Sequence, residues 1–178
     1  MPTTGKGKPS LRVVTMERAA RAEQKESLVE QTRAMLEEAR MVLPGIQALF
    51  GFQLIAVFNT RFDELAPSLQ TIHLIALVAG AVSMSLVMTP AAYHRIAERG
   101  RLSSRFAELA SWLIAAAMAP LALSIALDAF VVSVVIAGNL LVGAIIGAIL
   151  AMMFVAMWFI WPAVHARRRH RMESQPIE

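Results

Sequence analysis

The sequence predicts an all-α integral membrane protein, with four transmembrane helices preceded by an N-terminal cytoplasmic amphipathic helix. Three observations carry that prediction. Apolar residues make up 57% of the 178 residues and charged ones only 17%, with a mean hydropathy of +0.56, whereas soluble domains average about 45–50% and about 25%. The apolar residues are gathered into runs long enough to cross a bilayer, for which about 20 residues suffice. All seventeen Lys and Arg lie outside those runs, and sixteen of them can be placed on one side of the membrane. The same figures exclude a disordered chain, a disulfide scaffold, since there is no cysteine, and a water-soluble enzyme.

Residues 1–14 combine Pro, Gly and Lys and read as a disordered, basic start. From 15 to 40 the apolar positions Leu28, Val29, Thr32, Met35, Leu36 and Ala39 recur at helical spacing, with Glu30, Arg33, Glu37 and Arg40 on other faces. This amphipathic helix has three readings: it lies on the membrane surface, it contacts a partner or a second copy, or it is a solvated continuation of the first span. Pro44-Gly45 follows, where the ring removes a backbone donor and clashes with the Arg40 carbonyl, so a kink or break is expected.

The first span is expected at about 41–60 and the second at about 69–93. Between Leu109 and Ala166 the only charge is Asp128, and the stretch is far too long for one crossing, so it must turn back. Gly138-Asn139 is the preferred turn over Asp128-Ala129, because the latter would leave a last span of about 35 residues against the usual limit of about 25. That gives spans of about 109–136 and 140–164, with a basic tail at 165–178.

Charge then orients the bundle. Lys and Arg crowd the leader, the loop from Arg95 to Arg105 and the tail, whereas Arg61 shares its connection with Asp63 and Glu64. Both termini and the middle loop are therefore assigned to the cytoplasm. Tyr93, Trp112, Trp158 and Trp161 sit near the cytoplasmic ends of their spans, as interfacial aromatics do. No apolar signal-peptide core precedes the first span, which is expected to direct insertion itself.

Few residues in the spans can do chemistry. Asp128 is the one acid inside a span, and with His73 it forms a candidate ion or proton site across the bundle; the alternative is a solvated interfacial aspartate or a helix-end residue. Gln47, one turn from Gly51, is a candidate for reaching a neighbouring helix over a small-residue gap, with Gln53 on nearly the opposite face. Gly143, Gly147 and Ala151 form a small-residue row for close helix packing against another span or a second copy, and Ala76 with Gly80 is a weaker version. Pro120 frees the Ala116 carbonyl near mid-membrane.

Two basic features remain. Glu37, Glu38 and Arg40 before the first span and His94 and Arg95 after the second are expected to meet as a cytoplasmic clasp, with a gate or proton entry point as the sharper reading. Arg167, Arg168, Arg169 and Arg171 form either a topology anchor or a contact for anionic lipid headgroups. No phosphate loop, metal-ligand cluster or nucleophile motif is present, so neither catalysis nor a cofactor is expected. Nucleic-acid binding is not expected either, because the pI near 10.3 arises from the rims of the spans.

The run Glu38-Ala-Arg40-Met-Val-Leu-Pro-Gly45-Ile-Gln47-Ala-Leu-Phe-Gly51-Phe52-Gln-Leu, then Arg61-Phe62 and Pro90-Ala-Ala-Tyr-His94-Arg95, resembles a family of small uncharacterised bacterial four-span membrane proteins, often actinobacterial. The likeness covers roughly 36–95 and extends to the later spans in character only. It implies a four-span fold in a bacterial plasma membrane, and some members carry a sodium:proton antiporter label. The functional expectation is a non-enzymatic accessory or interaction protein, with a homo-oligomer in view; the competing class is a small cation/proton antiporter acting as an oligomer.

Overall fold

The computed structural model describes residues 11–97 and 103–173, and the side chains of 11, 13, 14 and 168–173 lie outside that description. The described chain is helical: α1 (Leu11–Val57), the short α2 (Thr60–Asp63), α3 (Pro67–Ala97), α4 (Ser104–Ala137), α5 (Leu140–Val155), a π-helical turn (Ala156–Ile160) and α6 (Trp161–Glu173). Four helical stretches are long and apolar enough to cross a membrane. Their outward faces carry large apolar side chains such as Ile136, Leu141, Ile149 and Met152. Water does not stabilise so broad an apolar exterior, whereas acyl chains do.

The turn between the third and fourth spans falls where the sequence locates it. Gly138 closes α4 with φ +61 and its N–H bonded to the Val134 carbonyl, and the Asn139 side chain accepts from the Leu141 and Val142 N–H groups. A left-handed residue followed by a side-chain cap reverses the chain within two residues and satisfies donors that hydrocarbon cannot.

The first junction differs from expectation. α1 runs through Pro44 without a break, so the 15–40 segment and the first span are one helix. Proline forfeits one bond and crowds one carbonyl, but Ile46 lies almost fully buried against Val87 and Ala117 just beyond it, and that packing holds the helix together. In the leading half Thr32 is buried and Met35, Leu36 and Ala39 are half-buried, so the apolar stripe is the packed side. Pro120 likewise leaves α4 continuous. Near the end of the last span the chain widens into the π-helical turn, whose final N–H, on Trp161, reaches the Ala156 carbonyl. Pro162 follows at once, and the wider turn makes room for its ring near the Trp158 carbonyl.

The core is a seam of small residues between α3 and α4. Ala76, Ser83, Ala117 and Ser124 are all buried there, so the two backbones approach closely. Ser83 donates to the Ala117 carbonyl at 2.9 Å. The hydroxyl thus acts one residue from the carbonyl that Pro120 frees. α1 packs across this seam, and α5 packs against α4 alone among the long helices.

Candidate functional site

Four polar side chains from three helices meet beneath α2. Gln53 comes from α1, His73 from the first turns of α3, and Ser124 and Asp128 from successive turns of one α4 face. Gln53 is 2% exposed, Ser124 is fully buried, and the His73 and Asp128 side chains are 8% and 16% exposed. Asp128 is therefore neither solvated nor at a helix end, since α4 continues to Ala137.

The contacts are specific. His73 Nδ1 lies 3.1 Å from Asp128 Oδ1, and His73 Nε2 lies 3.0 Å from the Gln53 carbonyl oxygen. The Gln53 amide donates from Nε2 to Ser124 Oγ at 2.8 Å and to Asp128 Oδ2. Its Oε1 is buried and has no hydrogen-bond partner among the described residues. Gly80 on α3 makes the room: a Cβ there would stand 3.2 Å from both Gln53 Oε1 and Ser124 Oγ.

Counting protons decides what this arrangement holds. A carbonyl oxygen only accepts, so Nε2 of His73 carries a proton that it donates to Gln53. The Nδ1 to Oδ1 contact also needs one proton, on the ring as imidazolium or on the carboxyl as a neutral acid. Either way the pair is electrically neutral. Taking that proton away leaves two lone pairs facing each other and one negative charge in the bundle, with the Gln53 amide as its remaining donor.

α2 fixes the outer lip of the site. The Asn59 side chain caps it by accepting from the Arg61 N–H, Gln70 Nε2 donates to the Phe62 carbonyl at 3.0 Å, and the Phe62 ring meets His73 edge-on at 5.4 Å. A groove of about 460 Å³ opens beside the pair, walled by Phe52, Val132 and Val135, with Arg61 at its rim. Further along the same helices, past Gly80 and Ser124, lies a cavity of about 230 Å³ lined by Ile46, Ser83 and Ala117. His73 and Asp128 line the groove and are not among the residues that line that cavity.

A model of a family of unknown function (DUF6328) matches residues 21–162, most of the chain. The chain belongs to the DUF6328 family. No curated protein and no solved structure matches it. The match reaches all four spans of this DUF6328 chain, ending within the last, and takes in all four polar residues of the site.

The structure brings His73 and Asp128 together. No ion pair joins Glu37 or Glu38 to His94 or Arg95 among the described residues. Arg40, His94 and Arg95 instead line one cavity. Gln47 is exposed and makes no hydrogen bond among the described residues, and nothing approaches the place of a Cβ at Gly51, so this pair packs no helix within the chain. The buried amide is Gln53, on the opposite face. Gly143 and Gly147 are buried against α4, with Ala151 half-buried below them. Arg167 is exposed, whereas the side chains of Arg168, Arg169 and Arg171 lie outside those described.

Ser124 and Phe62 were not singled out as site residues by sequence. Ser124 had one available signal, its place one turn before Asp128 on the same helix face. Phe62 stood out only as part of the Arg61-Phe62 pair in the family resemblance, and its place over His73 depends on how α2 folds back over α3.

Proposed function

We propose that this DUF6328 chain is a non-enzymatic, multi-pass protein of the bacterial plasma membrane that exchanges a cation for the proton shared by His73 and Asp128. Both termini lie in the cytoplasm, and the working unit is an oligomer. The observation that carries this reading is the proton count at the pair. With the proton present the pair is neutral and mutually bonded; without it, an uncompensated carboxylate sits in a region where isolated charge is costly. A cation then restores neutrality, and the buried Gln53 Oε1 is an oxygen left without a partner among the described residues on the amide that bonds Asp128. Competition of proton and cation for one carboxylate is the core of exchange. The groove lined by both His73 and Asp128 gives the pair a route to the surface.

The test is flux in proteoliposomes containing the pure protein. A cation gradient should drive an opposing pH change, and Asp128→Asn and His73→Ala should each abolish it. Absence of flux in the native protein would overturn the reading.

A second reading is favoured by one observation: residues 15–31 of α1 are almost wholly exposed, a long helical arm with little packed on it. An accessory protein that docks a partner through 15–40 would use such an arm. Reproducible co-purification of a partner, lost on deleting 15–31, together with no flux, would favour it.

A further inference from the structure

The opposite end of the bundle holds a second cavity, of about 360 Å³, enclosed by α1, α3 and α4. Its floor is apolar, with Leu43, Val87 and Ile114 among its walls, and its basic lining is Arg40 and Arg95, with His94 beside them. Among the described residues no acidic side chain lines it. Glu37 and Glu38 are exposed on the adjacent turn of α1 and pair with none of these bases. The positive charge at the rim is thus uncompensated by the described residues.

The rim is also held in place. Phe106, 1% exposed, stacks on Tyr93 at 5.9 Å and lies 5.5 Å from the His94 ring, so the last turn of α3 is fixed against the start of α4. Along α3, the rise from His73 to His94 is about 31 Å, close to the thickness of the hydrocarbon core. With His73 near one interface, His94 and Arg95 stand at the headgroup level of the other.

A cationic rim at headgroup depth above an apolar floor is complementary to an anionic amphiphile. We propose that this cavity binds an anionic phospholipid, its phosphate between Arg40 and Arg95 and the start of an acyl chain against Leu43, Val87 and Ile114. This site stands apart from the His73–Asp128 pair and does not depend on exchange. It is also distinct from the arginine-rich tail at 167–171.

The experiment uses the full chain purified in detergent, with phosphatidylglycerol and phosphatidylcholine as probes and retained lipid counted by native mass spectrometry. One phosphatidylglycerol per chain should stay bound where phosphatidylcholine is lost. At about fivefold in affinity per basic residue, the double variant Arg40→Gln with Arg95→Gln should weaken retention by about 25-fold, while Arg167→Gln leaves it unchanged. Both rim arginines are exposed, so folding should survive; Arg40→Lys with Arg95→Lys, which keeps the charge, should retain most of the binding. Equal retention of the two lipids, or of phosphatidylglycerol by the native chain and the Gln double variant, would overturn the proposal. So would displacement of the lipid by millimolar inorganic phosphate, which would mark a phosphate site without a lipid-specific floor.

Discussion

Nε2 of His73 faces only a carbonyl oxygen, and that single fact constrains the chemistry of the whole site. Because the carbonyl cannot donate, the Nε2 proton is fixed in place and only the proton between Nδ1 and Asp128 is exchangeable. This can be checked with ¹⁵N-histidine-labelled protein in a bilayer, using His73→Gln to assign the signal. The Nε2 signal should be that of a protonated nitrogen donating a hydrogen bond. A neutral ring protonated on Nδ1 and bare on Nε2 would show that the Gln53 carbonyl is not the partner. At this scale the sequence exposed the right ionisable pair, since an acid and a histidine inside apolar runs are conspicuous. It did not expose the partners, because Gln and Ser are common in spans and their pairing depends on the relative rotation of three helices. Gln47 and Gln53 illustrate the limit: they are alike in composition and context, yet only Gln53 turns inward.

Among the elements, α4 and α5 show how far a local pattern can be carried. The reversal at Gly138-Asn139 was legible because a left-handed glycine and an asparagine cap act through their own backbone. The close packing of Gly143 and Gly147 was legible as a small-residue row, but whether it met the same chain or another required coordinates. A Cβ at Gly143 would lie 2.3 Å from Val134 Cγ2 and 2.9 Å from the Phe130 carbonyl oxygen. Val134 can rotate or be trimmed, but the carbonyl belongs to the backbone of α4 and cannot yield without moving the helix. Gly143→Ala should therefore destabilise the bundle by about 1–3 kcal/mol, the usual cost of overpacking, measured as a lowered thermal midpoint in detergent. Adding Val134→Ala should recover only part of that loss. Full recovery would mean that the carbonyl contact is not limiting. Pro44 teaches the converse lesson: a strong local break signal was outweighed by tertiary burial of Ile46, which no local pattern reports.

For the molecule as a whole, the sorting of charge makes a prediction that depends on a single turn. If α4 and α5 are separate spans, the chain crosses four times and Ala66, in the connection before α3, lies on the opposite side from Glu178. If 109–166 crossed once, Ala66 and Glu178 would share a side. The capped reversal at Gly138-Asn139 requires the first arrangement. Charge adds the direction: Arg61 stands with Asp63 and Glu64 near Ala66, whereas the tail carries Arg167, Arg168, Arg169 and Arg171 without a neighbouring acid until Glu173. Basic flanks are retained in the cytoplasm. A paired reporter, one partner active only inside and the other only outside, should therefore read external at Ala66 and cytoplasmic after Glu178. Equal locations would overturn the four-span scheme. A clean reversal would preserve the span count and overturn the orientation, moving the groove beside His73 and Asp128 to the cytoplasmic face and the Arg40–Arg95 cavity to the outer leaflet.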